Sequence, residues 1–102
     1  MGEFKPAMKE SDLAEGSMAS VEVDGVRVLL SRIGGGVFAV SGTCTHEEAD
    51  LGLGFMIEER VVCPLHLSQF DLRTGEVLSP PAVLGLKRFN VKIHEGLVLV
   101  EL

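Results

Sequence analysis

Between positions 44 and 66 the chain reads Cys-Thr-His, sixteen residues, then Cys-Pro-Leu-His, and this stretch holds both cysteines and two of the three histidines. Each end supplies one thiol and one imidazole, in the order C-x-H … C-x-x-H. A single tetrahedral zinc usually groups its ligands as C-x-x-C and H-x-x-x-H. Mixed ends suit two loops that grip a two-metal cluster from opposite sides, with Cys44 and Cys63 on one metal and His46 and His66 on the other. The fold must then bring two separate loops to one point. Taken singly, a Cys is more often a small buried hydrophobe and a His a surface or hydrogen-bonded residue. The joint spacing of four carries the reading. His94 has no partner motif and is expected to face solvent.

The rest of the chain is patterned for strands. Residues 4–8 read as a first edge strand, since Pro6 is tolerable only at an edge. Residues 11–15 read as a short helical turn capped by Ser11 and ended by Gly16. Met18–Val23 and Val26–Ile33 flank Asp24-Gly25, a pair that tolerates the positive φ angles of a type I′ hairpin turn. Period-two alternation marks Val21, Val23, Val26, Val28 and Leu30 as the buried face. Gly34-Gly35-Gly36 makes the next reversal, and Val37-Phe38-Ala39-Val40 runs into the first candidate ligand loop. Asp71 to Glu76 is expected to turn between two short strands, and Pro80-Pro81 to form a rigid extended loop. Residues 87–94 and 97–102 are expected to pair across Glu95-Gly96. Short strands with frequent turns predict an all-β, antiparallel sandwich or small barrel.

A chain of 102 residues is expected to be one domain. Its hydrophobic content of 46% is ordinary for a globular fold and argues against disorder. No apolar run is long enough to cross a bilayer and the N-terminus has no apolar signal region, so a soluble, cytoplasmic protein without a membrane partner is expected. A net charge of −6 argues against nucleic acid. It is compatible with docking to a positively charged protein surface, and equally with simple solubility. In a cytoplasm a disulfide between the two cysteines is not expected.

The proposed ligand set has a chemical consequence. A 2Fe–2S cluster on four thiolates carries two negative charges when oxidised, and two neutral imidazoles remove both. An electron enters a neutral centre more easily, which places such clusters at about −150 to +300 mV against about −400 mV for all-Cys plant-type clusters.

Cys44-Thr45-His46, Cys63-Pro64-Leu65-His66, the following Phe70-Asp71-x-x-Thr74-Gly75 and Pro80-Pro81-Ala82 together resemble the Rieske family, specifically its small soluble Rieske-type ferredoxins. The resemblance implies an antiparallel β fold with a small cluster-binding subdomain at one end. It implies cluster-binding loops at about 42–54 and 63–72, with a third loop at about 79–82 that includes Pro81. Cys44, His46, Cys63 and His66 match the four ligands of one Rieske 2Fe–2S cluster. Ser68 matches a position whose hydroxyl, in high-potential members, bonds a bridging sulfide. Phe70 stands where those members have a Tyr that bonds a ligand sulfur. Leu65 stands where they have a Cys, and no further Cys exists to bridge the loops. Leu67 occupies a position that is often Gly, so a different local turn is expected.

The resemblance implies an electron carrier between a reductase and a terminal oxygenase or similar acceptor, not an enzyme in its own right. Alternatives are the small Rieske subunit of a nitrite reductase-type complex and a zinc-binding structural module. Glu47, Glu48, Glu58 and Glu59 are expected to make partner docking electrostatic.

Overall fold

Alternating apolar residues cut by Asp-Gly, Gly-Gly and Glu-Gly pairs favour short paired strands over helices. The computed structural model describes residues 2–45, 48–65, 67–80 and 82–102. Strands run β1 (Phe4–Lys9), β2 (Met18–Val23), β3 (Val26–Ile33), β4 (Gly36–Ser41), β5 (Phe55–Ile57) and β6 (Arg60–Val62). They continue with β7 (Gln69–Asp71), β8 (Val77–Ser79), β9 (Arg88–Phe89), β10 (Val91–His94) and β11 (Leu97–Glu101). Among the described residues three antiparallel sheets form: a terminal sheet β1-β11-β10, a central sheet β2-β3-β4-β9, and a small sheet β5-β6-β7-β8. The all-β antiparallel expectation holds.

Asp24 and Gly25 both take positive φ, 51° and 79°, as the type I′ turn requires. Pro6 lies on an edge strand, beside a bulge against β11. Three local expectations need correction. Residues 87–94 are not one strand. Arg88 and Phe89 pair with β4, whereas Val91–His94 pairs with β11, so the chain changes sheets at Asn90. There the Asn90 carbonyl accepts the Glu101 amide at 2.9 Å and its side chain donates to the Glu101 carboxylate at 2.9 Å.

The helical turn covers Glu10–Asp12 instead of 11–15, with Lys9 at its start and no side-chain cap. Arg32 holds it by pairing with Glu10 at 2.9 Å. Glu15, left outside the turn, accepts the amides of Gly34 and Gly35 at 2.7 Å each. The Gly35 and then the Gly34 bond hold its carboxyl below the usual glutamate range. A depressed carboxylate pKa contributes above the unfolded value and loses that contribution as pH falls through the folded one. Acidification below about pH 4.3 is therefore expected to release Glu15 from the Gly34-Gly35 reversal, read as shifts of the Gly34 and Gly35 amide resonances.

The third correction concerns β3, which is buried on both faces. Val26 is exposed, whereas Leu29 and Ser31 are buried beside Val28 and Leu30. The reason is that the central sheet separates two cores. Val28 and Leu30 pack with Leu13, Ala39, Phe89, Val98 and Val100. Leu29 and Val40 pack on the other side with Leu51, Val61, Phe70, Leu72 and both cysteines. Ser31, two residues from Leu29 and thus on the same face, has no hydrogen-bond partner for its Oγ among the described residues. Ser31→Ala removes a buried unsatisfied hydroxyl and is expected to stabilise the fold by about 1 kcal/mol, about 4–8 °C in Tm. Thermal unfolding followed by circular dichroism checks this; a lower Tm would overturn it.

Candidate metal centre

Both cysteines sit at the bases of hairpin-like loops, and each closes its loop with its own amide. In the first, Thr43 bridges to Asp50 and the Cys44 N–H donates to the Ala49 carbonyl at 2.9 Å. The Asp50 carboxylate secures this loop, accepting the Gly52 amide at 2.8 Å and the Ser20 hydroxyl at 3.0 Å. In the second, between β6 and β7, the Cys63 N–H donates to the Ser68 carbonyl at 2.8 Å. Cys44 is 3% exposed and Cys63 fully buried, in one core with Phe70 and Leu72. No disulfide joins them.

Leu67 takes φ +60°. The position keeps the left-handed backbone that glycine adopts freely, and the leucine carries a strain of about 1–2 kcal/mol. His46, His66 and Pro81 lie outside the described residues, as does Glu47.

Ser68 is fully buried, and its Oγ accepts the amide of Ala82 at 3.0 Å. That bond uses a lone pair and leaves the hydroxyl hydrogen to be donated elsewhere. The segment after β8 is tied to its surroundings twice more. The Thr45 hydroxyl donates to the Leu84 carbonyl at 2.6 Å, and the Leu86 amide donates to the Gly75 carbonyl at 2.6 Å. Two buried thiols from separate loops, an apolar lining and one buried hydroxyl donor form a donor set suited to a sulfur-rich cluster.

Around these loops, strongly apolar side chains reach solvent: Leu53, Leu65, Leu67, Val83 and Leu84, with Val83 83% exposed. Sequence reasoning did not single out this group, although apolar residues in loops were a visible signal. Of the acidic residues expected to steer docking, Glu59 pairs with Arg73 while Glu48 and Glu58 are exposed. His94 is exposed, as expected, within 3.7 Å of Glu95.

Residues 3–90 match the family described as Rieske [2Fe-2S] domain. The chain is 33% identical over 96 residues to the ferredoxin component of the naphthalene 1,2-dioxygenase system of Pseudomonas putida, covering 94% of this chain and 92% of that protein. The solved ferredoxin of carbazole 1,9a-dioxygenase from Nocardioides aromaticivorans IC177 superposes with a TM-score of 0.88 at 33% identity, covering 95% of each chain. A chain from a complex of reduced oxygenase and oxidized ferredoxin in carbazole 1,9a-dioxygenase gives a TM-score of 0.89 at 30% identity, covering 96% of this chain and 92% of that one.

Proposed function

Because the chain belongs to the Rieske 2Fe–2S domain family, we propose that it is a one-electron carrier whose single cluster is held by Cys44, His46, Cys63 and His66. The pairing of two buried cysteines, each closing its own loop through its amide, carries this assignment. The cluster supplies a one-electron redox couple. The chain's residues position it, exclude water from its sulfur side and set its potential. Phe70 and Leu72 keep the cysteine side apolar. Residues 1–102 act as one domain, with the binding loops at about 42–54, 63–72 and 79–82. Among the described residues no helix is long and apolar enough to cross a membrane, and we place the protein in the cytoplasm.

The partners in this reading are a reductase and a terminal oxygenase, with the carrier itself catalysing no substrate reaction. Relatives named as ferredoxin components of dioxygenase systems, and the solved oxygenase–ferredoxin complex, favour this over a nitrite reductase subunit. The exposed Leu53, Leu65, Leu67, Val83 and Leu84 form an apolar docking face, with Glu48 and Glu58 available for electrostatic steering. A redox titration followed by EPR, with metal analysis and reduction of an oxygenase as the second readout, tests the assignment. A rhombic signal from the reduced protein supports it; stoichiometric zinc in protein made under iron-replete conditions overturns it.

Ser68 is proposed to donate its remaining hydrogen to the cluster. Ser68→Ala, losing a bond of roughly 1 kcal/mol, is expected to lower the midpoint potential by about 40 mV. An unchanged potential would show that the hydroxyl does not reach it. With neither a bridging disulfide nor a Tyr in place of Phe70, the potential is expected toward the low end of the Rieske range.

A further inference from the structure

The segment that follows β8 exposes Val83 and Leu84 at 83% and 67%, yet it is fastened on both sides of this apolar pair. Ala82 is held to the second cysteine loop through Ser68, and Leu86 to Gly75. Between these ties Thr45 reaches across from the first cysteine loop, its Oγ1 donating to the Leu84 carbonyl at 2.6 Å. An unfastened exposed pair of this kind would sample many conformations and pay the cost of ordering on contact with a partner. We propose that Thr45 is a positioning residue: its hydroxyl presets the Val83 and Leu84 lip, so that the docking face is assembled before the partner arrives.

This role of Thr45 rests on the reading that the face delivers electrons, and extends it in two ways. Thr45 is next to Cys44 in the chain, so the same short stretch that supplies a thiol also aims the lip. The bond is also the one described side-chain link between the first cysteine loop and the lip. Loss of the hydroxyl leaves the Ser68 and Gly75 ties able to form but lets them open more often, so the effect is expected on presentation of the lip and not on holding the cluster. A side chain of the same shape without the donor, valine, isolates the hydrogen bond from the packing; serine restores the donor without the methyl.

The test uses the cluster-loaded protein. In Thr45→Val, hydrogen–deuterium exchange of the amides of Ala82 and Leu86 should run about fivefold faster than in the wild type. The KM for a terminal oxygenase of this class should rise about fivefold, with kcat and midpoint potential held. Thr45→Ser should return both readouts toward wild type. Exchange that is unchanged in the valine variant overturns the proposal, because the lip is then held without Thr45. Faster exchange with an unchanged KM also overturns it, because the lip then plays no part in docking. A wild-type protein that reduces no oxygenase would defeat the electron-delivery reading instead, which separates that failure from this one.

Discussion

Cys63→Ser is expected to yield a colourless protein, with no EPR signal on reduction and iron near the background of the metal analysis. Serine keeps the size of the side chain but replaces a soft thiolate with a hydroxyl that stays protonated at neutral pH. Iron–sulfur clusters are held by thiolates, so one of four ligands is lost outright. Cys63 is fully buried in one core with Phe70 and Leu72, whose apolar side chains cannot substitute as ligands. Cys44→Ser should fail in the same way, because the two thiols come from separate loops and neither can be reached from the other's backbone. Binding energy of this kind is also folding energy. Both variants should therefore lose amide protection across the small sheet β5–β8 before the terminal sheet is affected. A variant that keeps full iron content and its EPR spectrum would refute the ligand assignment.

The second large effect is expected from Gly75→Ala, a change that touches neither thiol. Gly75 lies in the left-handed region at φ +83°, and an added Cβ would stand 2.2 Å from the Leu86 carbonyl oxygen. Its own carbonyl accepts the Leu86 amide and its own amide donates to Asp71 at 2.8 Å, so the backbone is held on both sides. Moving away to relieve the clash means breaking one of those bonds. The conformational penalty and the overlap together are expected to cost about 3 kcal/mol, which lowers Tm by about 12–24 °C. Leu86 belongs to the same core as the cysteines, so faster bleaching of the loaded protein should accompany the drop in Tm. A loss below about 1 kcal/mol would mean that the segment 82–86 shifts freely.

The hairpins were legible because each rests on local chemistry. Asp24-Gly25 and Glu95-Gly96 announce their turns, and Asp71 announces another. The Asp71 carboxylate accepts the amides of Arg73 and Thr74 at 2.7 and 3.0 Å, as an Asx turn does. The hairpin of β5 and β6 was not legible. Its turn is Glu58-Glu59, with Glu58 at φ +54° and no Gly, Asn or Pro to mark it. Tertiary pairing of Val61 with Phe70 overrides the local preference there. The double burial of β3 was hidden for a different reason. Leu29 and Ser31 interrupt a clean alternation, and only the packing of a second layer explains why a strand needs both faces covered. At the site, the cysteines and Ser68 could be named from spacing and resemblance. The Thr45 bond to Leu84 could not, since it spans 39 residues and a hydroxyl gives no hint of its partner.

The first and last strands are neighbours, Phe4 opposite Glu101 and Lys9 opposite Leu97, and Glu3 and Leu102 exchange both of their amide bonds at 3.1 and 3.0 Å. A tether attached at either end, or a host polypeptide that enters at one and leaves at the other, needs a gap of only about 5 Å. Tension across those ends would unzip β1 from β11 one rung at a time. The load would be spent on the side of the central sheet away from Cys44 and Cys63. Immobilising the protein on an electrode through either end should therefore leave the redox-active face turned outward and mechanically undisturbed.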